Sequence, residues 1–186
     1  VSRINPGKTD DMRQDHDNAR SPIPGIPADG PYVGVEGHVG PDVIDVNGHM
    51  NVLGFDKLFD AAESALFLAF GMGEPYLERT GKSMFRLEKL IRYERELFAD
   101  DAIEIRSYLI ATDMKRIHHV HELWSRETGQ RSAIFDALSI HVDLTARRST
   151  PITDAAARQS IAACAALHAA LPRPEGALDR GLGTKR

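Results

Sequence analysis

Apolar residues recur at intervals of three and four from Val52 to Phe70, at Val52, Phe55, Leu58, Phe59, Ala62, Leu66, Ala69 and Phe70. They make one stripe of a helix, with Asp56, Lys57, Asp60 and Glu63 mostly off it. Asn51 can cap its start and Gly71 can end it in a left-handed conformation. Upstream, Tyr32–Val39 has β-favouring residues broken by glycines, and Val43–Val46 follows. The two predict a first strand with an irregular end that delivers Asp45 to the helix start. The run Arg86–Phe98 fits two patterns. Leu87, Leu90, Ile91, Leu97 and Phe98 would line a helix, which propensity favours, whereas Leu87, Ile91 and Tyr93 suit one face of a strand with Lys89 as the exception. Strands are predicted over Ala102–Ala111, Arg116–Ser125 and Arg131–Leu144, the last two joined by the hairpin turn Glu127–Gln130. A second helix is predicted over Thr153–Leu171, capped by Thr153 or Asp154 and stopped by Pro172.

The order strand, long helix, antiparallel strands predicts an α+β domain over residues 32–150. A C-terminal helix and loose tail fill residues 151–186. Repeated prolines make residues 1–31 an extended arm, expected to be mobile unless a partner subunit holds it. No internal repeat is present. At 186 residues, 42% apolar and 27% charged, the chain suits one domain with one sizeable core. A formal net charge of −4 argues against a nucleic-acid partner. The single cysteine, Cys164, allows no internal disulfide, which points to a cytoplasmic setting. No run of about 18 apolar residues predicts a membrane span, and the N-terminal segment lacks a secretory signal core.

The candidate chemistry lies where the first strand meets the helix. In Asp45-Val46-Asn47-Gly48-His49-Met50-Asn51, a carboxylate, an imidazole and an amide gather at a helix N-terminus. Free backbone N–H groups there favour negative charge. Such a junction can stabilise an oxyanion beside a carboxylate, and it predicts a hydrolase. Asp45 is a turn former or, functionally, a nucleophile or general base. Asn51 is an N-cap, or its amide holds a water or a carbonyl. His49 is a strut for the loop or a proton carrier. His118, His119 and His121 are expected on the sheet surface or at an interface rather than on a metal, since a site would need a third ligand. Trp124 is a core residue or a cation–π wall.

The Asp45-x-x-Gly48-His49-x-Asn51 motif before a hydrophobic helix and antiparallel strands resembles the hotdog-fold acyl-CoA thioesterases of the 4-hydroxybenzoyl-CoA thioesterase type. The match covers roughly Tyr32–Leu144. With Asp113–His118 and His141–Asp143, it looks closest to the thioesterases of carnitine breakdown, which act on betainyl-CoA. The resemblance implies a curved antiparallel sheet around a long central helix, and a homodimer or dimer of dimers. It also implies an acyl-CoA substrate hydrolysed without a cofactor. Asp45, His49 and Asn51 would be catalytic and the Val52 N–H an oxyanion donor. Gly48 would permit the turn or close substrate approach, Phe55 would shape the acyl pocket, and Lys115 and Arg116 would meet the CoA phosphates. Glu63 becomes a second candidate base, because in related subfamilies the acid comes from the helix. The resemblance also resolves Arg86–Leu97 as a strand. A non-catalytic acyl-CoA sensor, or a hydratase on the same fold, would be the alternatives.

Overall fold

Helix α1, Val52–Ala69, is the element on which the rest packs. It appears in a computed structural model that describes residue 23 and residues 25–182. Asn51 caps it, its side-chain oxygen accepting from the Gly54 amide at 3.0 Å. Its apolar stripe buries Phe55, Phe59, Ala62, Leu66 and Phe67, and Phe59 stacks on Phe135 with ring centroids 5.1 Å apart.

The strands are β1 (Tyr32–His38), β2 (Lys82–Tyr93), β3 (Ala102–Thr112), β4 (Arg116–Ser125), β5 (Arg131–Asp143) and the short β6 (Arg148–Ser149). All neighbours are antiparallel, in the order β1-β3-β4-β5-β2, with β6 beside β5. This curled sheet with its helix is the hotdog arrangement expected from the motif. Two core clusters fill it. One gathers Phe55, Phe59, Leu97, Ile103, Ile105, Leu123 and Phe135 under the first part of α1. The other joins Leu66, Phe67 and Phe70 to Leu109, Ile117 and helix α3 (Ala155–His168), which Asp154 caps.

Several expectations need correction. The first strand stops at His38. Pro41, which has no N–H to donate, opens a single 3-10 turn instead. A short helix α2 (Glu74–Thr80), not foreseen, links α1 to β2. The end of the N-terminal arm is not loose: Ile23 and Ile26 are each 1% exposed, among Leu66, Tyr76 and Ile161. Burying each isoleucine is worth about 1.5–3 kcal/mol, enough to hold that stretch. The rest of the arm, residues 1–22 and 24, lies outside the described residues.

The tail is not loose either. On the sheet face away from α1, His118, Val120, Ile134 and Asp136 are buried. Residues 172–181 run along this face. The Leu178 amide donates to Asp136 at 2.8 Å and Arg180 pairs with both Asp136 and Glu88. Arg131 reaches the Glu175 carbonyl, and Arg92 that of Gly176. Both faces of β4 and β5 are thus covered, which explains their near-continuous burial.

In β2 the register slips between Arg86 and Glu88. The bulge takes Leu87 out of line with Lys89, Ile91 and Tyr93 and brings Arg86 onto their face, towards α1, in its place. Arg86, Lys89 and Tyr93 then meet α1 in order from Glu63 back to Phe55. Arg86 bonds Asp60 and Glu63, Lys89 bonds Asp56 at 2.6 Å, and Tyr93 meets Phe55 edge-on. Among the described residues no strand pairs with the other edge of β2, where Phe85, Leu87 and Leu90 are exposed. No helix among the described residues is long and apolar enough to cross a membrane.

Candidate active site

The Asp45 loop is fixed at four points. The Asp45 amide donates to the His49 carbonyl at 3.1 Å and the Gly48 amide to the Asp45 carbonyl at 3.0 Å. The Asn51 amide donates to Val43 at 2.9 Å, and the Met50 amide to Leu97, beyond β2, at 2.7 Å. Gly48 has φ +84° with open space where a Cβ would sit, so glycine is there for the backbone turn rather than for room. Gly54, on the first turn of α1, is there for room: a Cβ would lie 2.7 Å from Met50 Cγ and 2.9 Å from Val43 Cβ. The helix start can therefore press against the loop.

Beneath this loop is a cleft of about 310 Å³ lined by Asp45, His49, Asn51, Val52, Phe55 and Tyr93, with Glu94–Glu96 along the rim. The Asp45 carboxylate accepts from the Asn47 amide at 2.8 Å and from its side chain at 3.3 Å. Asn51 uses its oxygen as the cap, which leaves its NH2 as a donor. The Val52 and Leu53 amides meet no acceptor among the described residues. Val52, at the helix N-terminus, thus lines the same cleft as Asp45 with its N–H free, an arrangement suited to acyl transfer.

Of the residues expected from sequence, Asp45, His49, Asn51, Val52 and Phe55 come together here, and Gly48 forms the loop. Lys115 and Arg116 do not. They sit in the β3–β4 turn, where Asp113 binds Arg116 through both Nε and Nη2 and accepts the Lys115 amide. Arg116 pairs with Ile140 and Tyr93 with Ala133. Along β5 that separation is about 23 Å.

Glu63 lies about 16 Å along α1 from Val52 and does not line the cleft. Its carboxylate accepts from Ser139 at 2.8 Å, pairs with Arg86, and stands 3.3 Å from His119 Nε2. The histidines are buried rather than on the surface. His119 Nδ1 meets His121 Nε2 at 2.8 Å, and Ser107 meets His121 Nδ1 at 2.7 Å. Since Ser139 donates to Glu63, the chain of donors runs Ser107, His121, His119, Ser139, Glu63. Each imidazole then carries its proton on Nε2, and its ring nitrogens are occupied within the protein. Burial, reinforced by the Arg86 charge, holds His119 down to about 3; burial and His119 hold His121 well below the usual histidine range. Both stay neutral. Trp124 is half-buried on the outer face, with the Arg106 guanidinium 4.3 Å above its ring, and takes no part in the cleft.

A family model described as the thioesterase-like superfamily matches residues 39–160. The chain belongs to the thioesterase-like superfamily. The family sets the reaction class, thioester hydrolysis. The betainyl-CoA thioesterase of Pseudomonas aeruginosa is 32% identical over 136 residues, 73% of this chain and 85% of that protein. The L-carnitine dehydrogenase/betainyl-CoA thioesterase of Rhizobium meliloti is 31% identical over 166 residues, 89% of this chain but 33% of that protein. A Staphylococcus aureus protein solved in complex with CoA shares the fold, with a TM-score of 0.72 at 20% identity over 78% of this chain and 91% of its own. The superfamily's hotdog frame thus accounts for the sheet and α1.

Sequence reasoning missed Tyr93, Glu96 and Gly54. The first two enter the cleft because β2 runs antiparallel to α1 and ends opposite Phe55, a tertiary placement that the local pattern of β2 does not carry. Gly54 did carry a signal: it is a glycine on the first turn of an otherwise good helix.

Proposed function

We propose that this protein is an acyl-CoA thioesterase that hydrolyses a small acyl-CoA, with betainyl-CoA as the foremost substrate, to the acid and free CoA. The observation that carries this reading is the meeting of Asp45 with the helix N-terminus and the unpaired Val52 amide at one cleft. The substrate rests on the likeness to the Pseudomonas aeruginosa enzyme. The thioester carbonyl oxygen points at the helix N-terminus, and charge building on it is stabilised by the Val52 amide. Asp45 supplies the electron pair, either directly to form a mixed anhydride or through a water that it deprotonates. The C–S bond breaks, the CoA thiolate takes a proton, and water oxygen ends in the acid. Asn51 NH2 and His49 hold the water and the loop in place.

In this reading the working unit is a dimer joined at the free edge of β2. Its support is the edge of β2 that no strand among the described residues covers, with Phe85, Leu87 and Leu90 exposed. Antiparallel pairing of two such edges sets the Lys82 end of one β2 against the Tyr93 end of the other. The Lys115–Arg116 turn of one copy would then lie on the same side as the cleft of its partner.

Thiol release from a panel of acyl-CoAs by wild type and Asp45→Asn tests the assignment. The variant is expected to lose about 10²–10⁴-fold in rate with its melting temperature unchanged. Equal rates would clear Asp45, and no thiol release from any member would leave an acyl-CoA binding module.

A further inference from the structure

The cleft carries more negative charge than hydrolysis requires. Three carboxylates line it, those of Asp45, Glu94 and Glu96. Glu94 is paired with Arg131, which binds it through Nε at 3.0 Å and Nη2 at 2.7 Å and shares its charge with Glu122. Arg95, the one arginine on the lining, turns Nη1 to the Arg131 carbonyl at 2.8 Å. Asp45 is held by Asn47 alone. Glu96 faces His49 Nε2 at 3.8 Å and has no lysine or arginine partner among the described residues. Asp45 and Glu96 thus have no bound lysine or arginine, and even with the Arg95 guanidinium counted, the lining keeps an excess of acidic over basic side chains.

Beside them stand two aromatic rings, Phe55 and Tyr93, with centroids 5.0 Å apart and planes at 73°. Phe55 is buried and Tyr93 half-exposed. Both sides of this wall are anchored. Tyr93 is the last residue of β2, paired with Ala133. Glu96 precedes buried Leu97, whose carbonyl accepts the Met50 amide of the Asp45 loop. π faces and an uncompensated carboxylate at the mouth of a 310 Å³ cleft attract a cation of low hydration and repel an anion.

We propose that Tyr93 and Glu96 are specificity residues that select an acyl group carrying a quaternary ammonium: Tyr93, with Phe55, meets its methyl groups and Glu96 balances its charge. Asp45 is left to the reaction. The proposal rests on the acyl-CoA thioesterase reading and adds to it how the acyl group is chosen.

The test compares two substrates of one shape, betainyl-CoA and 3,3-dimethylbutanoyl-CoA, in which a tert-butyl group replaces the trimethylammonium. For each enzyme the ratio of the two kcat/KM values is the readout. Wild type is expected to favour the cation, and Glu96→Gln and Tyr93→Leu are each expected to lower the ratio by roughly five- to tenfold, the size of a partly desolvated cation contact. A ratio unchanged in both variants overturns the proposal, even if Glu96→Gln slows both substrates, since Glu96 would then act only by placing His49. A wild type that prefers the neutral ester overturns it too and leaves the thioesterase reading standing. Release of thiol from neither ester overturns it as well, and the thioesterase reading falls with it only if the whole acyl-CoA panel is inert.

Discussion

Replacing Arg180 by alanine tests whether the C-terminal strap is part of the fold. Arg180 places Nε at 2.9 Å and Nη2 at 2.8 Å from Asp136 Oδ1, and Nη1 at 2.5 Å from Glu88. The other carboxylate oxygen of Asp136 takes the Leu178 amide at 2.8 Å and His118 Nε2 at 3.0 Å. Asp136 is 1% exposed. Burial by itself would push its carboxyl up; the bonds from His118, the Leu178 amide and Arg180 outweigh burial and bring it from 3.8 to about 2. At 1.36 kcal/mol per unit, the whole set of contacts is worth roughly 2.5 kcal/mol. Losing Arg180 also frees the strap, so water reaches Asp136 and the loss stays below the 3–5 kcal/mol typical of a broken buried pair. The expected destabilisation is about 2 kcal/mol at pH 7, or roughly 4–8 °C in Tm. A depressed carboxyl adds stability that is complete above its unfolded value, 3.8, and disappears as the pH falls towards 2. The gap between wild type and variant should therefore hold from pH 7 to about 4 and narrow below that, towards pH 3. Urea denaturation across that range measures it, and thiol release at 25 °C should be unchanged. A gap under about 0.5 kcal/mol at pH 7, or one that ignores pH, would refute the reasoning.

Gly54→Ala should push the Asp45 loop away through contact with Met50 and Val43, lowering kcat/KM roughly 10–100-fold. Its stability should move by less than about 1 kcal/mol, because helix propensity gains what packing loses; unchanged kinetics would show that the loop position does not matter. Burial lowers His119 to about 3 and His168 to about 4. Each takes up a proton on unfolding below its ordinary 6.5, so stability should fall by about 1.4 kcal/mol per pH unit for each as the pH drops from 6.5 towards 4. Urea midpoints at pH 7, 6 and 5 would read this slope, and a flat profile would mean that these rings are hydrated.

The periodicity of α1 and the alternation in β3 are strong because one face of each is buried and the other wet. The sequence was equally open about the Asp45 loop, where the turn glycine and the cap sit side by side. It was silent where the determining partner is far away. Asp136 looks like an exposed strand residue until Arg180 arrives from 44 positions later. His119 and His121 look like half-wet strand residues until Glu63 and Ser139 supply acceptors from α1 and β5. Ile23 and Ile26, among prolines, carry no periodicity that would mark them as core. The inner face of β2 was misread because a bulge at Leu87 leaves no mark in a short apolar pattern.

The strap has a consequence for how the chain is made. Synthesis runs from the N-terminus, and the strands can collapse on α1 as soon as β5 has emerged. The outer face of β4 and β5, with Val120, Ile134 and the Asp136 carboxylate, then stays bare until residues 172–181 have left the ribosome. During that interval the nascent domain has the first of its two core clusters in place and an unfinished back. A translational pause between β5 and the strap would prolong the exposure, and this is the face on which a holding chaperone would act.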